Sequence, residues 1–440
     1  MNLSQPQIYD SEKMVMNDHN SSRFDGAGND TLGNTTGNHP PGLDPPIFMS
    51  ASGMHQPIVT NAGTVIAPQP VVVSPIAVPP ERQHSGGNYK IALWNFFIIL
   101  IFEILMIFFY GFFVRFRDTE LPNFYPMFQD VNVMTFLGFG FLMSYLKFYS
   151  WSAIGHSFYL AAISVQLHPL LSAFWGRTFH NDWGSKIYLD SRNLTAAAFS
   201  ACSVLISFGG LIGHASIVQL VVMTLINVLL YSLVEGIIFE VLFGEDIGGT
   251  VGIHLFGATF GIFCTYLFLG NHPNPKFAPK NTSSYTSNIT AFIGCLFLWM
   301  YWPSFNGALA DNDVERIKAV GNTYFSIAAS AVTTFAISPL LNRGKLNAEE
   351  ILNATLAGGV IIGSSCNWIQ CPAFSVGIGC IAGFVATFGF NRISHYLHRK
   401  GLYDTVGITN LHFFTAVIGA FFSAIICAIY YDRDRRSSSR

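Results

Sequence analysis

Polar positions in this chain are few and gathered into short segments. Between them run apolar stretches, most of them near the roughly 20 residues that cross a bilayer's hydrocarbon. Eleven candidate spans can be marked, at about 91–114, 130–149, 152–174, 193–212, 215–243, 248–270, 288–310, 319–341, 350–367, 371–392 and 406–431. Short connections make consecutive spans antiparallel neighbours. The pattern predicts an all-α polytopic membrane domain over 89–432, with 350–367 short and rich in Gly and small residues. Residues 1–88 differ in kind, holding more than half of the chain's 20 prolines together with much Gly, Asn and Ser. Such a segment buries too little apolar surface to offset its chain entropy. It is expected to be a disordered cytosolic tail, and 433–440 a short basic C-terminal tail.

Composition sharpens this picture. The chain is 51% hydrophobic and only 11% charged, where a soluble domain carries about 25% charged residues. The net charge of −2 leaves no basic face for nucleic acid. The seven cysteines lie mostly in apolar runs and form no disulfide framework. Cys366 and Cys371 flank a short loop and are read as free thiols. No paired catalytic Asp, nucleophile elbow or His-Glu-x-x-His stands out, so no enzyme, metal or cofactor is expected. With the N-terminal tail in the cytosol, loop Lys and Arg modestly favour the cytosolic face, as orientation requires. Arg433, Arg435, Arg436 and Arg440 fall on the other face, against that rule.

The chain repeats itself once. Asp246-Ile-Gly-Gly-Thr-Val-Gly-Ile-His254 and Asp404-Thr-Val-Gly-Ile-Thr-Asn-Leu-His412 share Asp first, Gly three residues on and His eight residues on. Set the first span aside and five precede the Asn271–Ser287 loop while five follow it. Each His lies on the fifth span of its half. Five is odd, so the halves have opposite orientation, an inverted 5+5 repeat with one extra N-terminal helix. At 1.5 Å per residue a helical His would sit about 12 Å beyond its Asp, near mid-membrane from either face. An ionisable residue there is a functional candidate by default. Asp246 and Asp404 are placed to cap their helices.

Several longer motifs carry a family likeness. Tyr125-Pro-Met-Phe-Gln-Asp-Val, Gly138-Phe-Gly-Phe-Leu-Met, Leu298-Trp-Met-Tyr-Trp-Pro-Ser-Phe-Asn306 and Asn353-Ala-Thr-Leu-Ala-Gly-Gly359 resemble the Rh glycoproteins of the ammonium transporter superfamily. The likeness covers about 90–430. It implies a homotrimer in the plasma membrane with one pore per subunit. It implies that His254 and His412 are pore histidines, Phe199 and Phe305 a stacked phenylalanine gate, Asp246 a pore-entrance residue and Glu235 an acidic vestibule residue. The implied function is a channel for ammonia, recruited as ammonium, with carbon dioxide a second candidate gas. The partners are then ammonium or ammonia and membrane lipid.

The implied chemistry suits these side chains. An acidic vestibule concentrates cations. Aromatic faces hold a cation by roughly 1–2 kcal/mol. Two imidazoles can pair as one donor and one acceptor. Two departures favour the alternative of a non-conducting subunit that assembles or anchors a partner. The family's Gly after the second His is Phe413 here, followed by Phe414 and Thr415. The Rh branch also carries a further span, and this sequence ends at Arg440. His156 and His168 match no family site, and Glu103 is read as a contact to another helix or subunit.

Overall fold

The computed structural model describes residues 86–117, 124–184, 186–269 and 280–437. The tail expected over 1–88 lies, up to residue 85, outside the described residues. Helix α1, Gly86–Phe113, stands at the margin, with only 11% of its most apolar window buried. Its one acidic side chain, Glu103, accepts from Gln166 Nε2 at 3.2 Å, so it does contact another helix.

The first half then follows as α2 (Phe124–Val133), a π-helical turn (Met134–Phe139), the single turn α3 (Gly140–Leu142) and a 3₁₀ turn (Met143–Tyr145). After these come α4 (Ser150–His180), α5 (Ser191–Leu211), α6 (Ile217–Gly236) and α7 (Phe256–Leu269). The second half is α8 (Tyr285–Gly307), α9 (Asp313–Leu341), α10 (Ala348–Ala354), α11 (Ala357–Ile362), α12 (Pro372–Phe388), α13 (Ser394–Arg399) and α14 (Phe414–Ser437). Each of the eleven expected spans coincides with one of these helical stretches. Eight stretches among the described residues are long and apolar enough to cross a membrane. The others are the interrupted 124–145 stretch, the Trp- and Tyr-rich α8, and 348–362, which breaks at Thr355–Leu356. The last helix runs to Ser437, so the backbone stays helical past the expected tail boundary at 433.

The two halves correspond beyond helix count. In each, a π-helical turn lies late in the fourth stretch, Ile237–Val241 at its end and Gly389–Ile393 just before α13. In each, another begins the fifth, Thr250–Leu255 and Thr409–Phe413. Such turns carry an extra residue in the helical ladder and collect at functional sites.

At the centre lies α5, with 89% of its window buried. Its run of Ala, Ser and Gly lets neighbouring backbones approach, the usual basis of helix packing in lipid. In the second half α9 packs along α12, where a Cβ on Gly379 would stand 2.1 Å from the Ser326 carbonyl oxygen. The break between α10 and α11 frees backbone carbonyls, which lipid cannot hydrate. Neighbouring side chains supply the donors. Ser330 Oγ donates to Ala354 O at 2.8 Å, Ser326 Oγ to Gly358 O at 2.8 Å, Asn306 Nδ2 to Gly359 O at 3.1 Å and Thr250 Oγ1 to Val360 O at 2.7 Å. A parallel pair of three-residue strands, β1 (Val114–Phe116) and β2 (Ile187–Leu189), joins the end of α1 to the α4–α5 connection. The sequence pattern does not foretell it, because three residues are too few to show alternation.

Candidate functional site

The two repeated motifs fold alike. Gly249 and Gly407 have φ of +67° and +79°, a left-handed backbone that glycine adopts without the steric cost a Cβ imposes. That is why each copy has Gly three residues after Asp. The turn brings the Asp carboxylate back over the new helix start. Asp246 Oδ2 accepts from the backbone N–H of Val251 at 3.1 Å and Gly252 at 2.6 Å, and Oδ1 from Ser364 Oγ. Asp404 Oδ1 accepts from Gly407 and Ile408 at 3.0 Å each, and Oδ2 from Thr409 at 2.7 Å. Both carboxylates thus satisfy helix N-terminal donors.

The straight helix counted from Asp to His needs correction. Helical backbone starts only at Thr250 and near Thr409, and both histidines sit in π-helical turns. They arrive within a turn of their helix starts, and the halves meet there. His254 Nδ1 and His412 Nδ1 are 3.1 Å apart, the rings 5.1 Å between centroids and 11° from parallel. Both are buried, at 0% and 3% exposure. At that distance one nitrogen donates and the other accepts. His254 Nε2 has no hydrogen-bond partner among the described residues.

Phe199 and Phe305 lie against each other at 4.3 Å between centroids, their planes tilted by 40°, and both are buried. Phe305 lies 6.2 Å from the His254 ring, and Trp302 stacks on that ring at 5.5 Å. Trp302 was missed by the sequence reading. Its signal was present, since it stands three residues before Phe305 and hence on the same helix face.

A cavity of about 360 Å³ opens on one side of the phenylalanine pair. Ala196, one turn before Phe199 on α5, and Leu309, just past the end of α8 that carries Phe305, line it. Five carboxylates, Glu235, Glu240, Glu245, Asp311 and Glu315, face a single guanidinium, Arg192. Arg192 Nη1 is bonded to Asp311 Oδ1 at 2.9 Å, so the cavity's field favours cations. Glu235 is in this lining. Asp246 is not: its neighbours Glu245 and Ile247 line the cavity while its own carboxylate turns inward to the cap. On the other side of the histidines a small cavity of about 20 Å³ is lined by His412, Tyr145, Asn353 and Leu411 among others. Phe413 lines neither cavity; it packs edge-on against Phe414 at 5.5 Å. Cys366 and Cys371 are free, the first buried and the second exposed.

Comparison with known proteins places the chain in a family. Residues 91–439 match the Ammonium Transporter Family. The chain is 40% identical over 354 residues to an ammonium transporter Rh type C of Xenopus tropicalis, covering 75% of this chain and 74% of the relative. It is 37% identical over 352 residues to an ammonium transporter Rh type B of Danio rerio, covering 76% and 75%. Among solved structures it is similar to the Rh50 protein of Nitrosomonas europaea, described with the conduction mechanism of the Rhesus family of channels. That match has a TM-score of 0.62 and 29% identity, over 69% of this chain and 79% of the other.

Proposed function

The chain belongs to the ammonium transporter family, and from that premise we propose that it is a multi-pass membrane channel that recruits ammonium and conducts ammonia. The observation that carries the reading is the buried His254–His412 pair directly behind the paired rings of Phe199 and Phe305. The acidic cavity concentrates ammonium at the mouth. At the aromatic pair the cation meets ring faces that hold it briefly. Beyond them the charge would be stranded among buried apolar groups, which is costly. Ammonia, as the neutral base, passes with far less penalty. The free edge of His254 and the pair's shared hydrogen bond offer it a polar partner in an otherwise apolar passage. In this reading each subunit of a homotrimer has its own pore, the assembly sits in the plasma membrane and the N-terminal tail faces the cytosol. Carbon dioxide, small and neutral, would use the same path.

The test is ammonium-driven pH change inside liposomes holding the purified protein, compared with empty liposomes. Faster alkalinisation than in empty vesicles supports conduction. The alternative, a non-conducting assembly subunit, draws on the inner cavity of only about 20 Å³, room for about one water. It requires correctly inserted, assembled protein that leaves the rate at the empty-liposome value.

A further inference from the structure

His168 lies on α4, where it faces α6. It is 2% exposed, and its Nε2 is 2.8 Å from Glu235 Oε2. Its Nδ1 meets no partner among the described residues. The ring rests against Tyr231, 5.7 Å between centroids, and the Tyr231 hydroxyl is 3.5 Å from Glu235 Oε1, too long for a strong bond. The imidazole is therefore the main donor to this carboxylate, through Nε2–H. Glu235 is the most enclosed of the ion-paired cavity carboxylates: its side chain is 14% exposed, against 47% for Glu240 and 75% for Asp311. Glu240 has His180 and Asp311 has Arg192, both near open water. Of these three ion-paired carboxylates, only Glu235 has a buried partner among the described residues.

We propose that His168 is a positioning residue for ammonium recruitment: it holds the Glu235 carboxylate turned into the cavity that leads to Phe199 and Phe305. A hydrogen bond from an imidazole to a carboxylate is among the stronger ones and fixes the carboxylate's orientation. Holding Oε2 fixes the orientation of a carboxylate that lines the cavity. A cation entering the cavity then meets that carboxylate at a fixed place. Without His168, Glu235 is free to swing toward another donor, and the cavity loses a fixed acceptor at the most enclosed of its ion-paired carboxylates. The effect falls on recruitment and not on passage through the histidines. The inference rests on the ammonia-conduction reading above.

The experiment measures initial ammonium-driven flux against ammonium concentration, per inserted protein, for wild type, H168L, H168Q, E235Q and H168L/E235Q. H168L is expected to raise the half-saturating concentration about tenfold, the low end of what a focused field supplies, with maximal flux within about twofold of wild type. H168Q keeps an N–H donor and should recover most of the affinity. In the E235Q background H168L should add nothing, as coupled residues behave. A fall in maximal flux at unchanged half-saturation overturns the proposal. So does equal loss in H168L and H168Q, which marks a packing role, or a further loss in the double variant. A wild type that conducts beside an unaffected H168L overturns this inference alone. A wild type with no flux overturns the conduction reading and this inference together.

Discussion

At the residue scale, the site depends on side chains whose polar atoms are already committed. Asp404 accepts three backbone N–H groups, so D404A should lower stability by about 1–2 kcal/mol, the usual range for a lost cap. D404N should lose less, since the amide oxygen still accepts. Thermal unfolding of detergent-solubilised protein reads both, and an unchanged midpoint for D404A would remove the capping account. Phe413 raises a different question, because the resemblance places Gly there. Its ring lines neither cavity and packs on Phe414. F413G should therefore leave ammonia flux within about twofold, and a large rise would mean that the ring obstructs the path. The Asp, the Gly and the His of each repeat were legible in the sequence because local rules act on them: a cap, a left-handed turn, a polar residue in an apolar run. His168 was not, since its partner Glu235 lies 67 residues away on another helix, and no short-range pattern couples the two.

At the element scale, all eleven helical stretches could be read from hydropathy, yet their interruptions could not. A π-helical turn needs only one extra residue in the ladder, which apolar periodicity does not register. The consequence is material: the histidines sit in those turns, closer to their helix starts than a straight helix allows. The break between α10 and α11 was hinted at by its Gly content, but its tolerance depends on donors from three other elements. Asn306 bridges α8 to α11 and α9, donating to Gly359 O and to Thr323 Oγ1 at 3.0 Å. N306A leaves a buried carbonyl without its donor, a loss of about 1–3 kcal/mol. The solubilised variant should unfold at a distinctly lower temperature. Wild-type stability would show that another donor or water takes the place of the amide.

At the scale of the whole molecule, the two halves meet where the two histidines do, and the proposed passage lies within one chain. On that proposal, assembly rests on outer surfaces that a change at the histidines leaves intact. Mass measurement in mild detergent should give a trimer for wild type and for the His254 and His412 variants alike. A stable monomer would contradict the assembly reading. Removing residues 1–85 should leave flux per inserted protein unchanged, because nothing described at the site draws on them. Loss of flux from correctly inserted, shortened protein would assign that segment a part in conduction.

The central claim is that the His254–His412 pair forms the polar centre of a conducting passage. Its most direct test is ammonia flux into liposomes, per inserted protein, for wild type beside the H254A/H412A double variant. The account predicts rapid flux for wild type and at least about a tenfold loss in the double variant, equivalent to about 1.4 kcal/mol at the barrier, with trimer assembly retained. A wild type that conducts and a double variant that conducts equally well would contradict it.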